Sequence, residues 1–196
     1  YHGVIPPHLR ITQDGRAPAY IVKFDGDFSK VEYLRYDVTA IPFYLAEHNS
    51  ALIIGAGGGR DILSAKLFNV PKVTGVEINP ITSNDVMRNV FRDYSGNVYG
   101  LDGVNIVVDS GRTFAHRDQN TYDAIILSLA DTQAATAEGA SVLSENHLYT
   151  AEAFQSYWDR LEPNGICCVI GGAQYESRLL SRMANTMCKA LMEKGV

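Results

Sequence analysis

From Ser50 onward the chain alternates short apolar runs with helical periodicity, and this alternation limits the fold more than any other feature. The runs ALIIG (51–55), Lys72–Glu77, VNIVV (104–108), AIIL (124–127) and ICCVIG (166–171) have the length and β-branched content of strands covered on both faces. Between and after them, Arg60–Phe68, Ile81–Phe91, a short segment near Arg112–His116, Ala151–Leu161 and Glu176–Glu193 read as helices. The last carries Leu179, Leu180, Met183, Met187 and Leu191 on one stripe. Alternating strands and helices give βαβ units, so the expected fold is α/β with a doubly wound parallel sheet. Right-handed crossovers place every strand carboxyl end on one edge, and ligands bind there near the topological switch point. The residues that matter are expected just after Ile54, Val76, Val108 and Leu127.

The first 35 residues read as β. AYIVKF (Ala19–Phe24), the turn Asp25–Asp27 and FSKVEYL (Phe28–Leu34) predict a hairpin, with a further strand over Leu9–Thr12. A helix over Asp37–Glu47 is expected to carry Pro42 in its first turn or as a kink. A length of 196 residues suits one sizeable domain. The net charge of −5 argues against a nucleic-acid partner. Cys167 and Cys168 are neighbours in a strand and should face opposite ways; with Cys188 they fit neither a metal site nor a disulfide framework. The expected metal complement is none. No apolar run approaches the ~20 residues of a membrane span, and no signal peptide is visible. The chain begins at Tyr1 rather than Met, so it is expected to be a piece of a longer protein.

The strand ends carry the chemistry. After the first comes GAGGGRD, Gly55–Asp61, a turn that lets backbone approach a ligand and opens a helix with free N–H groups. After the second comes Glu77, 22 residues beyond Gly55, placed for a bidentate hydrogen bond to two ribose hydroxyls. The dinucleotide fingerprint G-x-G-x-x-G fails at Arg60, whereas G-x-G-x-G fits through Gly55, Gly57 and Gly59. After the third comes VVDSGRTF, where Asp109 and Ser110 are the polar candidates and either can instead cap the helix that follows.

The ordered string GAGGGRD, VEINP, VVDSGRTF, YDAIILSLADT, LYTAEAF and LEPNGI resembles the spermidine synthase-like (polyamine aminopropyltransferase-like) branch of the class I S-adenosylmethionine-dependent methyltransferase superfamily. The resemblance covers nearly the whole chain. It implies a small N-terminal β region over residues 1–35 and a Rossmann-like nucleoside-binding domain of methyltransferase type over 36–196, truncated after the fifth strand. That strand would then be an exposed apolar edge. It implies S-adenosylmethionine or its decarboxylated form as cofactor. Gly55, Ala56, Gly57 and Gly59 would face its tail, Glu77 the ribose, and Asp109, Ser110 and Gly111 the adenine, with Ile78 and Leu129 sandwiching the ring and Ser128 beside it.

Two departures matter. Aminopropyltransferases carry D-x-x-D after the fourth strand, and the first Asp accepts a proton from the attacking amine. Here that position is Ser128, and only the second acid, Asp131, remains. A Ser needs a base beside it to act near neutral pH. The glycine motif also lacks the Asp usually found within it. Catalytic candidates are therefore Asp131, Ser128, Tyr149 and His147, the last three flanking or ending the long loop Ser128–Thr150. The leading expectation is methyl transfer to a small nucleophile. The alternatives are aminopropyl transfer from the decarboxylated cofactor and a non-catalytic nucleoside-binding module. A small-molecule partner, an amine among the candidates, and a homodimer are expected. The loop also resembles large bacterial proteins in which such a domain follows membrane helices, which implies a cytoplasmic location either way.

Overall fold

The computed structural model describes residues 1–13, 16–128, 146–171 and 177–195. The chain opens on an antiparallel hairpin, β1 (His8–Gln13) and β2 (Arg16–Val22), with Leu9 opposite Ile21. This differs from the expected pairing of 19–24 with 28–34. Phe28–Tyr36 is instead a 3-10 segment. The cause is Asp-Gly-Asp acting as a helix cap and not as a hairpin turn. The Asp27 carboxylate accepts the Ser29 N–H at 3.0 Å and the Ser29 hydroxyl at 2.7 Å. Asp25 accepts the Asp27 N–H and pairs with Lys30. The segment then buries Val31 and Leu34, three positions apart, on one side. The expected helix over 37–47 is shorter: a 3-10 turn Val38–Ala40, capped by Asp37, runs into α1 (Ile41–Leu45), with Pro42 in its first turn.

The parallel sheet consists of β3 (Ser50–Ile54), β4 (Lys72–Glu77), β5 (Val104–Val108), β6 (Tyr122–Ser128) and β7 (Leu161–Ile170). Its order is β5-β4-β3-β6-β7. Successive strands leave β3 first on one side and then on the other, so the topological switch point lies between β3 and β6. The helices are α2 (Arg60–Leu67), α3 (Ile81–Val90), α4 (Gly111–Arg117), α5 (Ala151–Asp159) and α6 (Ser177–Glu193). α3 is wound as a π-helix and ends on an i→i+5 bond from Phe91 N–H to Val86 C=O.

Strand alternation divides the core in two. Ala51, Ile53, Ala124 and Ile126 pack with Ile62, Leu63 and Leu67 of α2 and Met87 of α3. Ile21, Val22, Val31 and Leu34 of the N-terminal region join the same cluster. Leu52, Ile54, Ile125 and Leu127 face the other way, against Ala115 of α4, Phe154 and Tyr157 of α5 and Ala190 of α6. Ser128 continues the Ala124–Ile126 side and so turns toward α2. Among the described residues β7 bonds only to β6, which leaves it at the sheet edge with no fully buried residue. Its Cys167 packs on the second cluster, where burial pushes the thiol up to about 12.

Strand β2 also crosses the turn between β3 and α2. A Cβ on Gly58 would fall 2.1 Å from the Tyr20 carbonyl oxygen, so the middle glycine of GAGGG serves packing against the hairpin. Gly58→Ala is expected to push β2 away and cost about 1–3 kcal/mol, read as a lower urea midpoint. An unchanged midpoint would contradict this contact.

Candidate active site

The glycine turn is tied to the end of β4 by main chain and side chain together. The N–H groups of Gly55 and Ala56 both donate to the Val76 carbonyl, at 2.9 and 3.0 Å. Gly55, Gly57 and Gly59 take φ of 85°, 47° and 81°, the left-handed region that L side chains avoid. Gly59 is the N-cap of α2. The Glu77 carboxylate, 7% exposed, accepts the Gly57 N–H on Oε2 and the Asn79 N–H on Oε1, each at 2.8 Å. Tyr99 donates its hydroxyl to the Gly57 carbonyl at 2.7 Å. Burial, and then the nearby Glu77 charge, raise the Tyr99 hydroxyl pKa, so it stays a donor.

This geometry fits a nucleoside. An ionised carboxylate has about four lone-pair positions, and the two backbone donors occupy two of them. Among the described residues no other donor reaches it, which leaves the rest for a pair of vicinal hydroxyls. Next to Glu77, Ile78 is 69% exposed, and Val108 at the end of β5 is 41% exposed. Apolar side chains open beside a buried carboxylate suit an aromatic ring lying over them. The Asp109 N–H donates to the Glu77 carbonyl at 3.1 Å, which fixes the next loop to the same edge. The Asp109 carboxylate takes the Ser110 N–H and pairs with Arg117. Ser110 sits at the N-cap of α4 but makes no side-chain cap bond. A Cβ on Gly111 would lie 2.3 Å from Ile54 Cγ2, so α4 starts pressed against the end of β3.

The structure therefore brings Gly55, Ala56, Gly57, Gly59, Glu77, Ile78, Asp109, Ser110, Gly111 and Ser128 to one sheet edge. Ser128 is the last residue of β6 and 7% exposed. His147 is exposed, with Nδ1 3.4 Å from the Arg112 guanidinium on α4. Tyr149 packs half-buried against the second core cluster. Asp131 and Leu129 lie outside the described residues. Sequence reasoning missed Asp61, in the first turn of α2 and 8% exposed, with Oδ1 3.5 Å from Arg60 Nε. Its signal was a carboxylate two residues past the last glycine of the turn.

A groove at the opposite edge, lined by Asn49, Lys72, Asn105 and Asn120 among others, lies at the strand amino ends. The acid there, Asp123, is spent on the backbone of the β3 start, accepting the Asn49 and Ser50 N–H groups at 2.8 Å. The carboxyl edge is where the polar groups converge. Among the described residues no cluster of His, Cys, Asp or Glu is placed to hold a metal, and no helix is long and apolar enough to cross a membrane.

Residues 33–194 match the family model described as the spermine/spermidine synthase domain. The chain belongs to this family. A polyamine aminopropyltransferase of Sulfolobus acidocaldarius is 29% identical over 122 residues, covering 62% of this chain and 38% of that protein. A spermidine synthase in complex with the transition-state analogue AdoDATO superposes with a TM-score of 0.63 at 19% identity, over 93% of this chain and 64% of the other. Spermidine synthase from Thermotoga maritima gives 0.61 at 18% identity, over 93% and 63%. These structures share the fold of this spermine/spermidine synthase domain, which spans less than two thirds of the length of each of these relatives.

Glu77→Gln tests the buried carboxylate of this domain. An amide turns one donor toward a backbone N–H, so the variant is expected to lose about 1–3 kcal/mol of stability and to bind a nucleoside ligand more weakly by calorimetry. Wild-type stability and affinity together would contradict the arrangement.

Proposed function

We propose that this chain carries the donor-binding half of an aminopropyl transfer, from decarboxylated S-adenosylmethionine to a small primary amine. This replaces methyl transfer, the leading expectation from sequence. The family match over residues 33–194 supports the replacement, and so does the relative named a polyamine aminopropyltransferase. The carrying observation is the buried Glu77 carboxylate, held at the switch-point edge with acceptor capacity to spare beside the exposed Ile78.

The residues divide the work as follows. Glu77 would hold the ribose hydroxyls, Ile78 and Leu129 the adenine faces, and Asp109 or Ser110 the adenine amino group. The turn Gly55–Gly59 would border the aminopropyl tail. When bound, the sulfonium nucleoside supplies a carbon already activated for displacement. The amine forms the new C–N bond, the C–S pair leaves with sulfur as a neutral thioether, and the amine nitrogen loses one proton. Alignment of the amine with that carbon supplies much of the rate, and a proton acceptor supplies the rest. Asp131 would orient the amine, with His147 on the rim beside Arg112.

Two reactions separate the possibilities: decarboxylated S-adenosylmethionine with putrescine, and S-adenosylmethionine with putrescine. Methylthioadenosine from the first, and no S-adenosylhomocysteine from the second, is the expected result. The reverse would restore methyl transfer. Nucleoside binding with neither product would make the chain a binding module.

A further inference from the structure

Asp61 and Ser128 are buried polar groups at the switch point, Asp61 in the first turn of α2 and Ser128 at the end of β6. Asp61 is 8% exposed and Ser128 7% exposed. Among the described residues, Asp61 Oδ1 and Ser128 Oγ have no partner in good hydrogen-bond geometry, and the nearest cation to Asp61 Oδ1, Arg60 Nε, stands at 3.5 Å. Buried polar atoms are nearly always paired, and an unpaired one points to strain or function. Ser128 lies on the face of β6 that packs against α2, one residue beyond Leu127, which stands opposite the last residue of β3. Asp61 opens α2 from the same crossing.

The charged surroundings are limited. Arg60 reaches Asp61 through Nε at 3.5 Å and Asp37 through Nη1 at 3.4 Å. Asp37 and, from β7, Cys168 feel or exert charge at Asp61, and Tyr33 faces Arg60 and Asp37 from the 3-10 segment. Burial raises the Asp61 pKa, while Arg60 and the Ser128 hydroxyl pull it back. A carboxylate whose site favours taking up a proton suits the role of proton acceptor for an amine.

We propose that Asp61 and Ser128 form one proton-accepting unit. In it, Asp61 supplies the carboxylate that Ser128 lacks and receives, through the Ser128 hydroxyl, the proton shed by the attacking primary amine. The amine proton passes to Ser128 Oγ as the Ser128 proton passes to an Asp61 oxygen, so the serine ends unchanged and Asp61 ends neutral. Ser128 is the residue that meets the substrate; Asp61 acts through it as a positioning and proton-holding residue. The inference rests on the aminopropyl-transfer reading. It also explains a cost: the folded chain binds the Asp61 proton more tightly than the unfolded one, so Asp61 favours folding at low pH and loses that advantage as pH rises through its folded pKa. An isosteric neutral residue would serve the fold better.

The test compares wild type with D61N, S128A and the double variant, using decarboxylated S-adenosylmethionine and putrescine. D61N and S128A should each lower kcat on the order of 100-fold or more, with the putrescine KM within a few-fold. The double variant should be no slower than the slower single, because the residues act as a unit. An infrared titration without substrates should show a carboxyl band, absent in D61N, that titrates above the ordinary Asp range and higher still in S128A. D61N should melt at or above the wild-type temperature at pH 8, with the gap closing toward pH 4. Full kcat in D61N, multiplying losses in the double variant, or a band indifferent to S128A would overturn the proposal. So would a D61N chain that melts well below wild type at pH 8. A wild type that releases no methylthioadenosine overturns the aminopropyl reading instead, and the infrared band then decides the pair alone.

Discussion

The Glu77 carboxylate holds the site together. It accepts one N–H from the glycine turn and one from the residue two places beyond itself, both at 2.8 Å. A buried carboxylate requires such donors, because an ion out of water without hydrogen bonds is costly. Its two bonds join the carboxyl ends of β3 and β4, and the Asp109 N–H on the Glu77 carbonyl adds the end of β5. Three loops from three strands thus share one anchor. The left-handed glycines follow from that anchor, since the turn must fold back far enough to offer Gly57 N–H to Glu77.

Most of this was legible in the sequence because the relevant signals are local. Five apolar runs became five strands, Lys72–Glu77 and Val104–Val108 with the bounds expected. The place of Glu77 at a strand end was legible because an acid closing an apolar run is a one-dimensional pattern. The misread pairing at residues 19–34 has a physical origin. Asp-Gly-Asp serves both hairpins and helix caps, and the choice depends on Ser29 and Lys30 lying within reach of the two carboxylates. Asp61 was missed for a different reason. It lies on α2 while Ser128 ends β6, and only the pairing of β3 with β6 brings them to one crossing.

Ser128 changes meaning once Asp61 is beside it. Against the D-x-x-D pattern that the resemblance implies, Ser128 stands where a carboxylate is expected at the end of β6. In the folded chain that position is buried against the helix that carries another one. A buried carboxyl held by one long ion pair, Asp61 with Arg60 at 3.5 Å, is a candidate for function. The binding edge and the acid–serine pair stand on separate observations, backbone geometry for the first and unsatisfied burial for the second, and they meet at the same switch point.

The most direct test of the account is a crystal structure of this chain soaked with decarboxylated S-adenosylmethionine. The ribose hydroxyls should bond Glu77, the adenine should cover Ile78, and the carbon beside the sulfonium should face Ser128. A ligand seated in the groove at the strand amino ends, or one at the carboxyl edge that leaves Glu77 untouched, would contradict it.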